Sequence, residues 1–415
     1  MHPLTVDGHS RLTFWSHVRE FAVPASMIES ATARRETGDW SGACAAARVD
    51  VDLNLRAVGR AHGEQFAATV RADLRHLAPD LLRWHFPRIS PDGLLRPGLT
   101  VSLARYPQHA GIHLVARTPP AWASAGQRIS LSLWEPGWPA DGARGHPHPR
   151  PDRRFRLDLH RHLWDARRAS ELGERSEADP ATRWKGEAAL LLRAEGRADG
   201  PVTVRLSSRQ RLVLNPDAPG AALVLPDAAT WAPPDLELLR AGWISADRLH
   251  PLVASALVPE ERTAVSRNPD APRDSRFVEC RGAPHRIGVV NGVLVALDHD
   301  PDEIRREELL VALGGNPLPC LQSIDVANRR PESLAEVRAR LDHGDTAGAL
   351  AVVEDLLGPD AHLRDGELRD ELEMAVRRRV VHGLYRAGLV CPDPVASTKD
   401  ARRRGRARPR CATFY

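Results

Sequence analysis

Apolar and polar positions along the chain change period several times, and each change marks a different kind of element. Residues 24–37 are apolar at helical spacing, Gly38-Asp39 reads as a turn, and Trp40 to Ala47 reads as a second short helix. In RVDVDLNL (48–55) the period drops to two, with Val49, Val51, Leu53 and Leu55 alternating with Asp50, Asp52 and Asn54, which predicts a half-buried strand. Phe66, Val70, Leu74, Leu77 and Leu81 then return to three- and four-residue spacing, so 57–85 is expected to be an amphipathic helix broken near Pro79.

Between Leu99 and Leu225 the pattern favours strands. Residues 101–106, 112–117, 128–134, 155–160, 188–195 and 202–207 are short apolar runs separated by Pro, Gly, Asp and Ser, and antiparallel pairing is expected. Residues 136–152 are too rich in proline, glycine and histidine for regular structure. Residues 234–257 read as helix with Ser245 as N-cap, and 259–275 as a polar linker. In RIGVVNGVLVAL (286–297) Asn291-Gly292 lies between apolar runs, the signature of a type I′ hairpin. A helix follows, with Asp300 as N-cap, Pro301 at its first position, Glu303 closing a capping box and Gly314 beyond its end.

Residues 26–47 align without gaps on 332–353, with identities at Ala33/Ala339, Arg34/Arg340, Gly38/Gly344, Asp39/Asp345, Gly42/Gly348, Ala43/Ala349 and Ala45/Ala351. Both copies predict a helix, a Gly-Asp turn and a second helix. The second copy, with Gly358-Pro359-Asp360-Ala361 and Asp365-Gly366 after it, resembles a degenerate ankyrin repeat that lacks the TPLH motif. DLLRWHFPR (80–88), RHLWDAR (161–167) and the hairpin-helix unit resemble an uncharacterised group of actinobacterial proteins. The ankyrin resemblance implies a protein-interaction element; the other implies no activity.

The expected fold class is therefore α+β, in six segments: helical 1–95, β-rich 96–230, a helical segment and linker 231–275, a β-hairpin-helix unit 276–330, an ankyrin-like helical segment 331–395, and a disordered basic tail 396–415.

Charge changes this picture in one place. Residues 399–410 hold seven basic residues and one acidic, a net of +6, against +4 for the whole chain, which leaves the rest at −2. A nucleic-acid contact can thus rest only on the tail arginines Arg402, Arg403, Arg404, Arg406, Arg408 and Arg410, and in the absence of interleaved aromatics it would be weak. No apolar run approaches the roughly 18 residues that span a bilayer, and the first residues lack a signal-peptide pattern, so the expected address is cytoplasmic.

Candidate chemistry is sparse. The two lysines, Lys185 and Lys399, do not follow glycine, so a P-loop is excluded, and no GxGxxG, HExxH, GxSxG or EF-hand pattern occurs. The five cysteines, at 44, 280, 320, 391 and 411, form no CxxC pair, and Cys320 reads as a small buried apolar side chain. No cofactor is expected on this reading.

The best catalytic candidate is Asp158, His160 and His162. An extended 155–162 would place all three on one face, where they could share a divalent metal, with His146 and His148 nearby. Trp122, Trp134 and Trp138 flank the proline-rich loop and could form an aromatic platform, although core packing is the expected use. The function expected from sequence is a non-enzymatic protein-interaction or regulatory protein with an unidentified protein partner, the alternative being a metal-dependent hydrolase using Asp158, His160 and His162.

Overall fold

The computed structural model describes residues 8–137, 146–177, 180–207, 210–258 and 276–389. Trp138, the 259–275 linker and the tail with its arginines Arg402 to Arg410 lie outside them. The chain divides into two compact units, Met1–Ala264 with Val381–Tyr415, and Val265–Val380.

The first unit begins with helices: α1 (Gly8–His17), a π turn, α2 (Ala25–Glu36) and α3 (Trp40–Ala46), followed by the short strand β1 (Val49–Val51). The alternating pattern of 48–55 predicts a longer strand. It stops because Asn54 caps the next helix, its side chain accepting from the Ala57 N–H at 3.1 Å. The expected long helix is three pieces, α4 (Leu55–His62), α5 (Glu64–His76) and α6 (Pro79–His85). Gly63 at φ +95° makes the first break and Pro79 begins the third piece.

A two-stranded ribbon of β2 (Arg88–Ile89) and β3 (Leu94–Leu95) leads to β4 (Thr100–Tyr106), β5 (Ile112–Arg117) and β6 (Ile129–Trp134). With β1 these make a four-stranded sheet in the order β1-β6-β5-β4. Pairing is antiparallel except for β1 with β6, so the sheet is mixed rather than purely antiparallel. Its faces differ. Val101, Leu103, Leu114, Ala116, Ile129 and Leu131 join Phe66, Val70, Leu74, Leu81, Trp84 and Trp164 in the main core. The opposite face carries Asp50, Ser130, Ser132, His113 and Arg117 into a cavity.

Two expected strands are absent. Residues 155–160 form turns with one isolated bridge, Ser102 to Arg156. All but the last of residues 188–195 end a helix, α8 (Pro180–Ala194), which follows α7 (Glu171–Glu177); the run is Ala, Leu, Arg and Glu, all strong helix formers, behind an N-terminal proline. Strands β7 (Val202–Arg205), β8 (Arg211–Leu214) and β9 (Leu223–Val224) form a second sheet in the order β8-β7-β9, and α9 (Pro234–Arg240) and α10 (Pro251–Leu257) follow. Ser245 makes no side-chain cap; His250 caps α10 instead, accepting from the Leu252 N–H at 3.1 Å.

The second unit opens with a three-stranded antiparallel meander, β10 (Arg276–Cys280), β11 (Ala283–Val290) and β12 (Val293–Ala296). Asn291 and Gly292 have φ +50° and +78°, as the hairpin signature requires. Arg281-Gly282, at φ +54° and +79°, makes a second tight turn between β10 and β11. Helices α11 (Pro301–Ala312), α12 (Pro319–Arg329), α13 (Leu334–Asp342), α14 (Thr346–Leu357) and α15 (Glu367–Arg386) follow, and the division between units falls within α15. A separate core of Ile287, Leu294, Leu318, Ile324, Val337, Val353 and Leu357 holds this unit together. A close backbone approach sets the hairpin turn on the end of α14: a Cβ on Gly358 (φ +93°) would lie 2.1 Å from the Gly292 carbonyl oxygen.

The internal similarity has the same geometry in both copies. Gly38 and Gly344 sit at φ +80° and +83°. Asp39 accepts from the Gly42 N–H at 2.8 Å and from Arg34 at 3.0 Å; Asp345 accepts from the Gly348 N–H at 3.3 Å and from Arg340 at 3.1 Å. Among the described residues no helix is long and apolar enough to cross a membrane.

Candidate metal centre

Four side chains of the second unit converge: Cys280, His285, His299 and Cys320, with one ligand atom from each lying within 4.8 Å of all the others. Their positions follow from local structure. Cys280 is the last residue of β10, and the Arg281-Gly282 turn folds the chain back so that His285 returns on β11. His299 lies in the short junction after β12, immediately before Asp300, whose side chain caps α11 by accepting from the Asp302 N–H at 2.7 Å. Cys320 follows Pro319 in the first turn of α12, where the helix dipole favours a thiolate.

Both sulfurs are fully buried. His285 Nδ1 and His299 Nε2 are hydrogen-bonded at 2.8 Å, so one ring donates its proton to the other. A tetrahedral ion with nitrogen and sulfur ligands at about 2.0–2.3 Å needs ligand atoms about 3.3–3.8 Å apart. An ion entering here would replace the shared proton and open the imidazole pair by roughly 0.5 Å. Burial first, and then the neighbouring Cys280 thiol, push the Cys320 thiol up to about 11. A divalent cation reverses that preference by binding the thiolate form.

The surroundings orient the ligands. His299 Nδ1 lies 3.2 Å from Glu303 Oε2, leaving Nε2 to face the cluster, and Glu303 is held by Arg281, which also bonds Glu307 at 2.8 Å. This is a carboxylate-histidine pair of the kind that fixes the ring of a metal ligand. Glu303 therefore does not close a capping box on Asp300; its carboxylate is committed to His299 and Arg281. Asp298, beside His299, accepts from the Arg286 N–H at 2.7 Å and from its guanidinium, which hold its carboxyl down at about 2.

The expectation of no cofactor is corrected by this cluster. It is hidden in the sequence because the ligands are separated by four, thirteen and twenty residues and come from three elements and a junction, whereas the familiar zinc patterns place two ligands on one element. A usable signal was present: two cysteines and two histidines fall within the single hairpin-helix segment 276–330, one cysteine directly before an Arg-Gly turn.

The residues singled out from sequence are placed elsewhere. Both carboxylate oxygens of Asp158 accept from Arg156, at 3.1 and 2.7 Å. His160 is 1 % exposed and bonds Glu187 at 2.9 Å and the Arg156 carbonyl at 3.1 Å. His162 is also buried, its ring 5.9 Å from that of His160, and burial above all holds its pKa well below the usual histidine value. They do not share a solvated strand face, because 155–160 turns and Arg161–Leu163 is a 3₁₀ helix. His160 and His162, with His85, line a cavity of about 30 Å³, enough for one water. His146 donates from Nε2 to the Thr118 carbonyl at 2.9 Å and accepts at Nδ1 from the His148 N–H at 3.1 Å, so neither nitrogen is available as a ligand. Trp122 packs edge-on against Tyr385, and Trp134 lines the cavity under the first unit's sheet. The tail arginines Arg402 to Arg410 lie outside the described residues. No family model, curated protein or solved structure matches this chain.

Proposed function

We propose that the second unit is a metal-binding module in which Cys280, His285, His299 and Cys320 hold a single zinc ion in a structural role. The observation that carries this reading is the convergence of two thiols and two imidazoles, from three elements and a junction, within 4.8 Å. Two sulfur and two nitrogen donors select a borderline-soft ion of tetrahedral preference over magnesium or calcium, which take oxygen ligands. Four protein ligands complete a tetrahedron, so no position remains for a substrate, which separates structural from catalytic zinc sites. What the ion would fasten is clear from the ligand positions: the turn between β10 and β11, the entry to α11 and the first turn of α12.

Elemental analysis of the full chain, produced in zinc-supplemented medium and freed of loosely bound metal, should find about one zinc per chain. The Cys280→Ser/Cys320→Ser double variant should have lost it. Cobalt substitution should give the intense visible bands of a tetrahedral site together with thiolate charge transfer. Metal-free wild-type protein, or equal zinc content in the double variant, would overturn the reading.

A further inference from the structure

The polar face of the first unit's main sheet borders a cavity of about 1270 Å³. A solvated sheet face needs no explanation, but this one is lined on several sides and contains an arginine, Arg117, that forms no ion pair among the described residues. Seven arginines and five carboxylates line the cavity. The carboxylates are already engaged. Asp50 pairs with Arg128 and Asp52 with Arg386. Glu195 takes Arg105 and Arg156, Glu135 takes His62 at 2.9 Å, and Asp152 accepts from the Arg154 backbone N–H at 2.9 Å.

Arg117 differs from those partnered arginines. It lies on β5, an inner strand, opposite Ser130 on β6 and Thr100 on β4. Its guanidinium donates to Ser132 Oγ at 2.6 Å and to the Pro149 carbonyl at 3.2 Å, both neutral acceptors. Among the described residues no carboxylate forms an ion pair with it. Burial lowers its pKa and outweighs the upward pull of Tyr385 and Asp52 nearby, so this cation has lost more from water than its surroundings return. A half-buried guanidinium in this condition is costly unless an anion arrives, and it still has N–H groups to offer. Ser132 accepts from Arg117, which leaves its own O–H free to donate to the same anion. Trp134, held edge-on by His113 at 5.2 Å, supplies an apolar wall for the rest of a ligand.

We infer that this cavity binds a small organic anion, whose carboxylate or phosphate is taken by Arg117 and Ser132. Phosphate and carboxylate each offer a pair of oxygens that the forked guanidinium can take bidentately. The cavity has room for a metabolite, but not for a folded partner.

The test uses the full chain with inorganic phosphate and succinate as separate probes, followed by calorimetry and by tryptophan fluorescence. Saturable one-site binding of at least one probe is expected, with Trp134→Phe removing most of the fluorescence change. A preference for phosphate or for succinate then assigns the ligand class. Arg117→Gln should weaken binding at least tenfold, Arg117→Lys less, with melting temperature as the check on folding. Should Arg117→Gln fail to fold, Ser132→Ala serves in its place and should weaken binding several-fold. Absence of saturable binding to either probe, or unchanged affinity in the folded Arg117→Gln protein (in Ser132→Ala where that variant is used), would overturn the inference.

Discussion

At the scale of single residues, buried imidazoles are the most revealing groups in the first unit. His146 is fixed as the neutral Nε2–H tautomer by two backbone partners, the Thr118 carbonyl and the His148 N–H. Burial first, then the nearby Arg117 and His148 charges, bring its pKa down to about 4 from 6.5, against the opposing pull of its backbone hydrogen bonds. Because the folded value lies below the unfolded one, the stabilisation is complete above about pH 6.5 and is lost as pH falls toward 4. A shift of that size corresponds to on the order of 2 kcal/mol lost between pH 7.5 and pH 5. His85 and His162 shift in the same direction, chiefly by burial, and add to the loss. Urea unfolding at the two pH values should show this decline for wild type. His146→Gln should be less stable at pH 7.5 and show a shallower pH dependence; an unchanged slope would mean His146 is not among the groups responsible.

At the scale of elements, sequence was informative wherever a few adjacent residues decide the backbone. Asn291-Gly292, Asp300-Pro301 and the two Gly-Asp turns each dictate φ or a cap locally, and each is found where the pattern placed it. Residues 188–195 misled because a short apolar run has no period to separate helix from strand. Residues 155–160 alternate, yet Leu157 and Phe155 are buried by turns that also carry Asp158 and His160 inward. Asp158, His160 and His162 do not lie on one strand face for the same reason that the four-residue cluster is hidden: ligand convergence is a property of tertiary structure, and alternation in one segment does not report it. The duplicated helix turn gives this scale its own test. Asp39 and Asp345 each cap the second helix of a pair and bind an arginine five residues back. Asp345→Ala should cost about 1 kcal/mol by urea unfolding, the usual loss for a removed N-cap, and Asp39→Ala should lower stability in the same direction. Similar losses for the two would show that the same turn does the same work in both copies, whereas a negligible loss at either would separate them.

At the scale of the whole molecule, the chain has two compact units with separate apolar cores, one around Phe66, Trp84 and Leu103 and the other around Ile287, Ile324 and Leu357. The second is the smaller, and the four candidate ligands sit at its β10–β11 turn and at the starts of α11 and α12. A small unit gains proportionately more from such a fastening, because its core buries less surface per residue. Metal binding free energy is folding free energy where the site does not exist in the unfolded chain, on the order of 10 kcal/mol for isolated zinc-finger peptides. Calorimetric melting of the zinc-loaded chain should therefore resolve two transitions, and a strong chelator should lower one of them while leaving the other in place. The chelator-sensitive transition is assigned by Cys280→Ser/Cys320→Ser, which should show it already lowered and indifferent to chelator. The remaining transition should instead respond to the pH change that titrates His146. A single transition moved by both treatments would mean that the two cores unfold together and that the metal stabilises the chain as one body.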